Sequence, residues 1–293
     1  MQVGFITNLK KILAAGEKRA LLISATGTGK TYASAFAMRE LGFRRVLFLV
    51  HRGQLARQTR KSYEKVFANT VSMGLVGAGY HEYEADYVFA TVQTLNRDEH
   101  LLQYAKDAFD CIVLDEAHHV PADTYRKIMD HFTPKLWLGM TATPDKRDDN
   151  VEGRNVYEIF NYQIAYEIRL QQAMEENLLC PFHYFGITDL SMIGDEEAAR
   201  DFNMLTSDER VRHIVNQADY YGYSGDKVKG LIFCSNIKET EELSAKFNQI
   251  INPATGKNFR TVALNGSASE QERQDAFERL AMNEDESSED RQP

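Results

Sequence analysis

Short apolar runs alternate with amphipathic stretches along the chain. Residues 21–24, 46–50, 88–91, 111–115 and 136–140 are apolar at nearly every position, which predicts strands buried on both faces. Three further runs, 182–186, 230–234 and 261–264, predict strands in the second half. Helical patterns lie between them. Residues 31–41 are rich in alanine, and 53–67 sets Leu55, Thr59, Tyr63 and Phe67 near one face. Residues 208–221 group Val211, Ile214, Val215 and Ala218, and helices are also predicted over 237–247 and 269–282. Ser269 and Glu272 have the spacing of a capping box, which marks a helix start. Doubly buried strands alternating with helices predict an α/β fold, a parallel sheet flanked by helices.

The alternation restarts part-way. Between Leu138 and Phe182 there is a charged stretch (145–154), then 162–168, then a helix-like run to Leu179, with no convincing buried strand. Pro181 follows and a new strand pattern begins, so a domain boundary is predicted near 176–181, giving domains 1–176 and 177–293.

Composition narrows the class. Of 293 residues, 43% are hydrophobic and 26% charged, enough apolar material for a core and too much for a disordered chain. No apolar run approaches the roughly 18 residues that span a bilayer, and no apolar segment follows the N-terminal lysines. Neither a membrane anchor nor a signal peptide is expected. Cys111, Cys180 and Cys234 lie far apart, which argues against a zinc or disulfide framework and for a reducing, cytoplasmic setting. His51, His118 and His119 lack a third residue at metal-ligand spacing. The net charge of −9 is unevenly spread. Residues 44–65 hold seven basic groups against one acid, whereas 284–291 hold five acids and one arginine. The acidic tail has little to bury and is expected to be mobile.

Two patterns carry chemistry. The first is Ser24 to Thr31 (S-A-T-G-T-G-K-T), between a predicted strand and a predicted helix. Gly27 and Gly29 allow the turn that points backbone N–H groups of Thr26, Gly27, Thr28 and Gly29 at a phosphate, and the helix N-terminus adds partial positive charge. Lys30 would reach the β- and γ-phosphates of a nucleotide and Thr31 would hold Mg²⁺. A strict phosphate loop begins with glycine where this chain has Ser24. The second pattern ends the strand 111–115 with Asp115-Glu116-Ala117-His118. Asp115 would enter the Mg²⁺ shell, Glu116 would polarise the attacking water, and His118 would sense the γ-phosphate side or a neighbouring domain.

These motifs resemble the superfamily 2 helicases and translocases of the DEAH type. Further pieces follow in that family's order: Leu49 to Arg52, Ala90 to Leu95, Thr141 to Pro144, 230–239 and 263–273. The Leu-Val-His-Arg and Thr-Ala-Thr-Pro versions are more similar to restriction-enzyme motor subunits, such as the type III Res and type I HsdR subunits, than to RNA helicases. Residues 165–170 and 181–186 resemble a bacterial group whose members often carry a phospholipase-D-like nuclease domain before the motor.

The resemblance implies an ATP-driven motor with two RecA-like domains, the first complete and the second partial, with ATP between them and nucleic acid across both. It implies ATP and Mg²⁺ as ligands, DNA rather than RNA as partner, and flanking domains of a larger polypeptide. Gln2 falls where relatives keep an adenine-reading glutamine. Arg52, Thr91 and Gln93 fall on backbone-contacting positions of the first domain, and Ser235, Asn265 and Gly266 on those of the second.

Plainer readings stand beside these. The other basic groups of 44–65 read as a solvated helix face, Thr91 and Gln93 as polar groups satisfying backbone, and Asn265–Gly266 as a turn. Tyr220, Tyr221 and Tyr223 read as packing or as a base-stacking platform, and Trp137 as core. The family's last two motifs, one bearing an arginine finger, are not recognised before Pro293. On that basis the chain is expected to be a fragment of a larger protein, or an unusual truncated member, that binds nucleotide but turns it over poorly. Two alternatives remain open, an RNA helicase and a nucleotide-gated binding module without turnover.

Overall fold

The computed structural model describes residues 2–68, 70–77, 79–120, 123–144, 155–187, 202–221, 229–253 and 255–281. The charged stretch 145–154, Tyr223 and the acidic tail lie outside the described residues. The chain divides into two compact units, Met1–Phe182 and His183–Pro293.

The first unit begins with α1 (Gln2–Ala14), β1 (Arg19–Ser24), α2 (Lys30–Leu41), β2 (Val46–Val50) and α3 (Gly53–Phe67). It continues with β3 (Met73–Gly77), β4 (Tyr80–His81), β5 (Tyr87–Thr91), α4 (Val92–Leu95), α5 (Asp98–Leu101) and β6 (Cys111–Asp115). After β6 come α6 (Asp123–His131), β7 (Leu136–Thr141), α7 (Val156–Ile159), β8 (Ile164–Ile168) and α8 (Leu170–Glu175). The eight strands form one sheet in the order β4-β3-β5-β2-β6-β7-β1-β8. Every pairing is parallel except β3 with the short β4. Alternate strand residues face opposite layers. Ala20, Leu22, Phe48 and Val113 join a core with Phe5, Met38 and Tyr63, while Leu21, Ile23, Leu47 and Ile112 join another with Tyr125, Ile128 and Trp137. Both faces are thus dry, as the unbroken apolar runs predict.

Several elements of this unit escape the hydrophobic pattern, among them β8, β3 and α1. Strand β8 pairs parallel with β1 at the sheet edge, and only Ala165 and Ile168 are buried, so its signal is diluted by Tyr166 and Glu167. Strand β3 is interrupted by glycine. Helix α1 packs Phe5 and Leu9 on the sheet and is tied to β8 by a hydrogen bond from Asn8 Nδ2 to Ala165 O (3.0 Å). On α3 the expected face is buried at Thr59, Tyr63 and Phe67, but its first position is taken by Ala56, and Leu55 is exposed.

The second unit holds α9 (Phe202–Leu205), α10 (Asp208–Tyr221), α11 (Ile237–Phe247) and α12 (Glu270–Ala281). Its small core joins Val211, Val215, Leu243 and Phe247. The capping box of α12 forms: Ser269 N donates to Glu272 Oε2 (2.7 Å) and Glu272 N to Ser269 Oγ (3.2 Å). The strands predicted at 182–186, 230–234 and 261–264 are not found. These segments form no regular element and join no ladder among the described residues. An apolar run supplies a strand's side chains, yet a ladder also needs a neighbouring strand to take its N–H and C=O groups. Leu231, Ile232 and Phe233 are accordingly 66%, 51% and 91% exposed.

Candidate active site

The C-terminal ends of the parallel strands carry nearly all the polar residues singled out in the first unit. Strand order sets their sequence along that edge: Thr91 ends β5, His51 and Arg52 follow β2, Asp115 ends β6, Thr141 ends β7, and the loop after β1 leads to Lys30. Ligands of open parallel sheets bind along this edge.

The loop between β1 and α2 is wound tightly. Gly27 and Gly29 adopt φ 89° and 86°, a conformation that side chains other than glycine rarely take. Gly29 caps α2, so the first free N–H groups of that helix open onto the loop. The Thr28 hydroxyl donates to Ala25 O (2.6 Å) and lies 2.5 Å from Ser24 Oγ. Ser24, standing where a strict phosphate loop has glycine, therefore braces the turn. Lys30 Nζ donates to Ser24 O (3.1 Å), folding over the loop, and Thr31 lies in the first turn of α2. Leu179 Cδ2 would lie 3.0 Å from a Cβ placed on Gly27. Leu179 also packs beside Ala25, Ile168 and Ala173, a contact with no sequence signal because it lies some 150 residues away along the chain. Gln2 is the first residue of α1 and is exposed.

Asp115 and Glu116 follow two strands away. Burial, then the neighbouring Glu116 charge, push the Asp115 carboxyl up to about 6, against the pull of Lys30. Asp115 Oδ1 accepts from Glu116 N (3.1 Å). Glu116 is left-handed (φ 52°, ψ 51°), a strained state for a residue with a Cβ and one that gathers at functional sites. The turn that follows (Ala117–His119) buries His118. Its Nδ1 lies 3.0 Å from Thr141 Oγ1 and 3.4 Å from Glu116 Oε2. An ionised carboxylate only accepts, so the tautomer with the proton on Nδ1 suits both partners. Thr141 also accepts from Thr143 N (3.1 Å), so Thr141 joins the site, a role its place in the Thr-Ala-Thr-Pro run did not specify.

The residues expected to meet nucleic acid vary in how free they are. Arg52 is exposed and caps α3. Thr91 caps α4, accepting from Thr94 N (3.2 Å) and donating to Thr94 Oγ1 (2.9 Å). Gln93 is exposed on α4. In the second unit, Ser235 donates through N and Oγ to Glu239 Oε2 (2.8 and 2.6 Å). Asn265 Oδ1 accepts from Ser267 N and Oγ (2.9 and 2.6 Å), and Gly266 lies in that exposed turn. Trp137 is buried, whereas Tyr220 is largely exposed and Tyr221 stacks on Phe185 with ring centroids 4.4 Å apart. Of the basic groups of 44–65, Arg60 pairs with Glu64 and Glu82.

Residues 1–146 match the family described as "Type III restriction enzyme, res subunit". The chain thus resembles restriction-enzyme motor subunits and, with them, the superfamily 2 helicases. It is 28% identical over 273 residues to the type I restriction enzyme EcoAI endonuclease subunit of Escherichia coli, covering 83% of this chain and 33% of that protein. It is 36% identical over 132 residues to a putative DNA 3'-5' helicase Rad25 of Halobacterium salinarum, covering 44% and 21%. In fold it is similar to the fragment structure of a putative HsdR subunit of a type I restriction enzyme from Vibrio vulnificus, with a TM-score of 0.56, 20% identity, and coverage of 84% of this chain and 44% of that one. The chain thus spans a third or less of the length of these two sequence relatives. Among the described residues no helix is long and apolar enough to cross a membrane.

Proposed function

We propose that this chain is the core of an ATP-dependent DNA helicase or translocase, with domain 1–176 binding Mg²⁺ and ATP and 177–293 forming part of a second RecA-like domain. The observation that carries this reading is the wound glycine loop leading to Lys30, which opens on the same strand edge as the carboxylates of Asp115 and Glu116. In this reading the N–H groups of Thr26 to Gly29 receive the β-phosphate, and Lys30 turns from Ser24 O to the β- and γ-oxygens. Gln2 reads the adenine. The Thr31 hydroxyl and the Asp115 carboxylate are hard oxygen donors of the kind Mg²⁺ takes, and a divalent cation would relieve the crowding of Asp115 against Glu116. Mg²⁺ would neutralise charge on the phosphate oxygens. Glu116 takes the proton of the attacking water, and His118, held by Thr141, sets its direction.

Arg52, Thr91 and Gln93, with Ser235, Asn265 and Gly266 from the other unit, would touch the phosphate backbone. The relation to a DNA helicase and to a restriction endonuclease subunit supports DNA over RNA. The greater length of those relatives supports action within a larger polypeptide, and the three scattered cysteines are the ground for a cytoplasmic setting.

ATP turnover of the larger polypeptide that carries this chain, measured without nucleic acid, with single- and double-stranded DNA, and with RNA of matching sequence, tests the reading. Stimulation by DNA is expected, and Glu116→Gln is expected to slow turnover at least ~10²-fold while still binding ATP. Stronger stimulation by RNA would favour an RNA helicase. ATP binding with no turnover would favour a gated binding module, and turnover that survives Glu116→Gln would remove Glu116 from the base role.

A further inference from the structure

His51 occupies a position that none of the roles above uses. It follows β2, the strand between β5, which ends in Thr91, and β6, which ends in Asp115. The register is close: Val50 lies beside Thr91, and Leu49 lies between Ala90 and Leu114. His51 is therefore joined by one peptide bond to Arg52 and sits between the proposed backbone contacts and the acidic pair.

Its side chain is held from the Glu116 side. His51 Nε2 lies 3.0 Å from the Tyr125 hydroxyl, and Tyr125 is fixed by burial in the core under α6. The His51 ring meets the His119 ring edge-on at 4.3 Å between centroids, and His119 meets His118 at 4.1 Å. His118 in turn reaches Glu116 Oε2 and Thr141 Oγ1. The chain of contacts is continuous from Arg52 to Glu116. Burial lowers the His51 pKa and so favours the neutral ring, while the Glu116 charge opposes that and the Arg52 charge adds to it.

We propose that His51 is a positioning residue, held by Tyr125, that couples nucleic acid held at Arg52 to the Glu116 turn through His119. Resting on the functional reading above, it adds a route by which one ligand affects the other. Movement of the Arg52 backbone onto a phosphate group displaces His51, because the two are adjacent. His51 cannot shift without changing its hydrogen bond to Tyr125 or its edge contact with His119. A change at His119 lies within the turn capped by the left-handed Glu116, whose backbone is strained and poised to rearrange, and Tyr125 sets how far the His51 ring can move toward it.

The test is a linkage measurement on the full chain. The dissociation constant of a fluorescent ATP analogue with Mg²⁺ is measured with and without saturating single-stranded DNA, for wild type, His51→Asn and Tyr125→Phe. Coupling between two sites is commonly about 5- to 150-fold, and by linkage it appears equally in either ligand's affinity. The wild-type ratio is expected in that range, and each variant is expected to bring it to within about twofold of one. Because the readout is a ratio, a uniform loss of affinity does not move it. A wild-type ratio that both variants preserve overturns the inference and leaves the functional reading standing. A wild-type ratio of one also overturns it. DNA that fails to bind the wild type sinks the functional reading, and the inference with it.

Discussion

His118 Nδ1 lies 3.0 Å from Thr141 Oγ1, joining the turn after β6 to the last residue of β7. Both residues are buried, so neither polar group has bulk water as a substitute. Thr141→Val keeps the shape but removes the hydroxyl, so Thr143 N loses its acceptor and His118 Nδ1 keeps Glu116 Oε2 but loses the shorter contact that holds the ring to β7. A loss of about 1–3 kcal/mol is expected in denaturant unfolding. ATP turnover should fall further than nucleotide affinity, since Glu116 loses its guide. Unfolding and turnover both at wild-type values would show that the bond carries no weight.

Asp115 gives a pH signature. Its carboxyl is raised from the usual range to about 6 in the folded chain. Between these values the folded state holds a proton that the unfolded state has released, so this group's contribution to stability falls as pH rises through the window. Asp115→Asn removes the buried charge. In the absence of Mg²⁺ and nucleotide it should stabilise the chain at pH 8, by on the order of 2 kcal/mol, with the advantage fading below about pH 4. Thermal melts across that range check it, and an Asn variant less stable than wild type at pH 8 would contradict it.

Gly139, in the middle of β7, has Phe160 pressed against it. A Cβ there would lie 2.5 Å from Phe160 Cζ, and Phe160 is fully buried. Gly139→Ala should cost about 1–3 kcal/mol, the range for overpacked cores. Gly139→Ala combined with Phe160→Leu should cost less than the sum of the two changes made separately. A neutral Gly139→Ala in an unfolding titration would mean that the ring has room to retreat.

Phe233 is 91% exposed in a segment that joins no ladder. Phe233→Ser is therefore expected to change stability by no more than ~0.5 kcal/mol, as at other exposed sites. A loss well above 1 kcal/mol, read by thermal unfolding, would mean that the segment packs as a strand after all.

The first unit was largely legible because its strands are buried on both faces. Leu47 and Phe48 serve opposite cores, so the run around them is unbroken and easily seen. Strand β8 serves an edge with two buried residues, and its pattern dissolves into polar neighbours. The loop and acidic motifs were legible because glycines, lysine and carboxylates stand at fixed local spacing. The bracing of Thr28 by Ser24 is local too, but it depends on hydroxyl direction, which spacing does not encode. The links from His51 to Tyr125 and from Leu179 to the loop join distant segments, and a single sequence holds no trace of them. In the second unit the apolar segment around Ile232 was read as a strand from its side chains alone, while pairing depends on a neighbour that the run cannot specify.

The central claim is that the loop from Ser24 to Thr31 holds the phosphates of a nucleotide, and Lys30 tests it most directly. Equilibrium binding of a fluorescent ADP or ATP analogue with Mg²⁺ is measured for wild type and Lys30→Ala, with circular dichroism as the control for folding. Lys30 Nζ makes one described hydrogen bond, to Ser24 O, and the side chain is half-buried and outside the apolar cores, so its removal should leave the fold intact. Losing a charge-assisted contact to phosphate should weaken binding by about 10- to 100-fold, in line with about 1.5–3 kcal/mol for hydrogen bonds to charged groups. A folded Lys30→Ala variant with an unchanged dissociation constant would contradict the account.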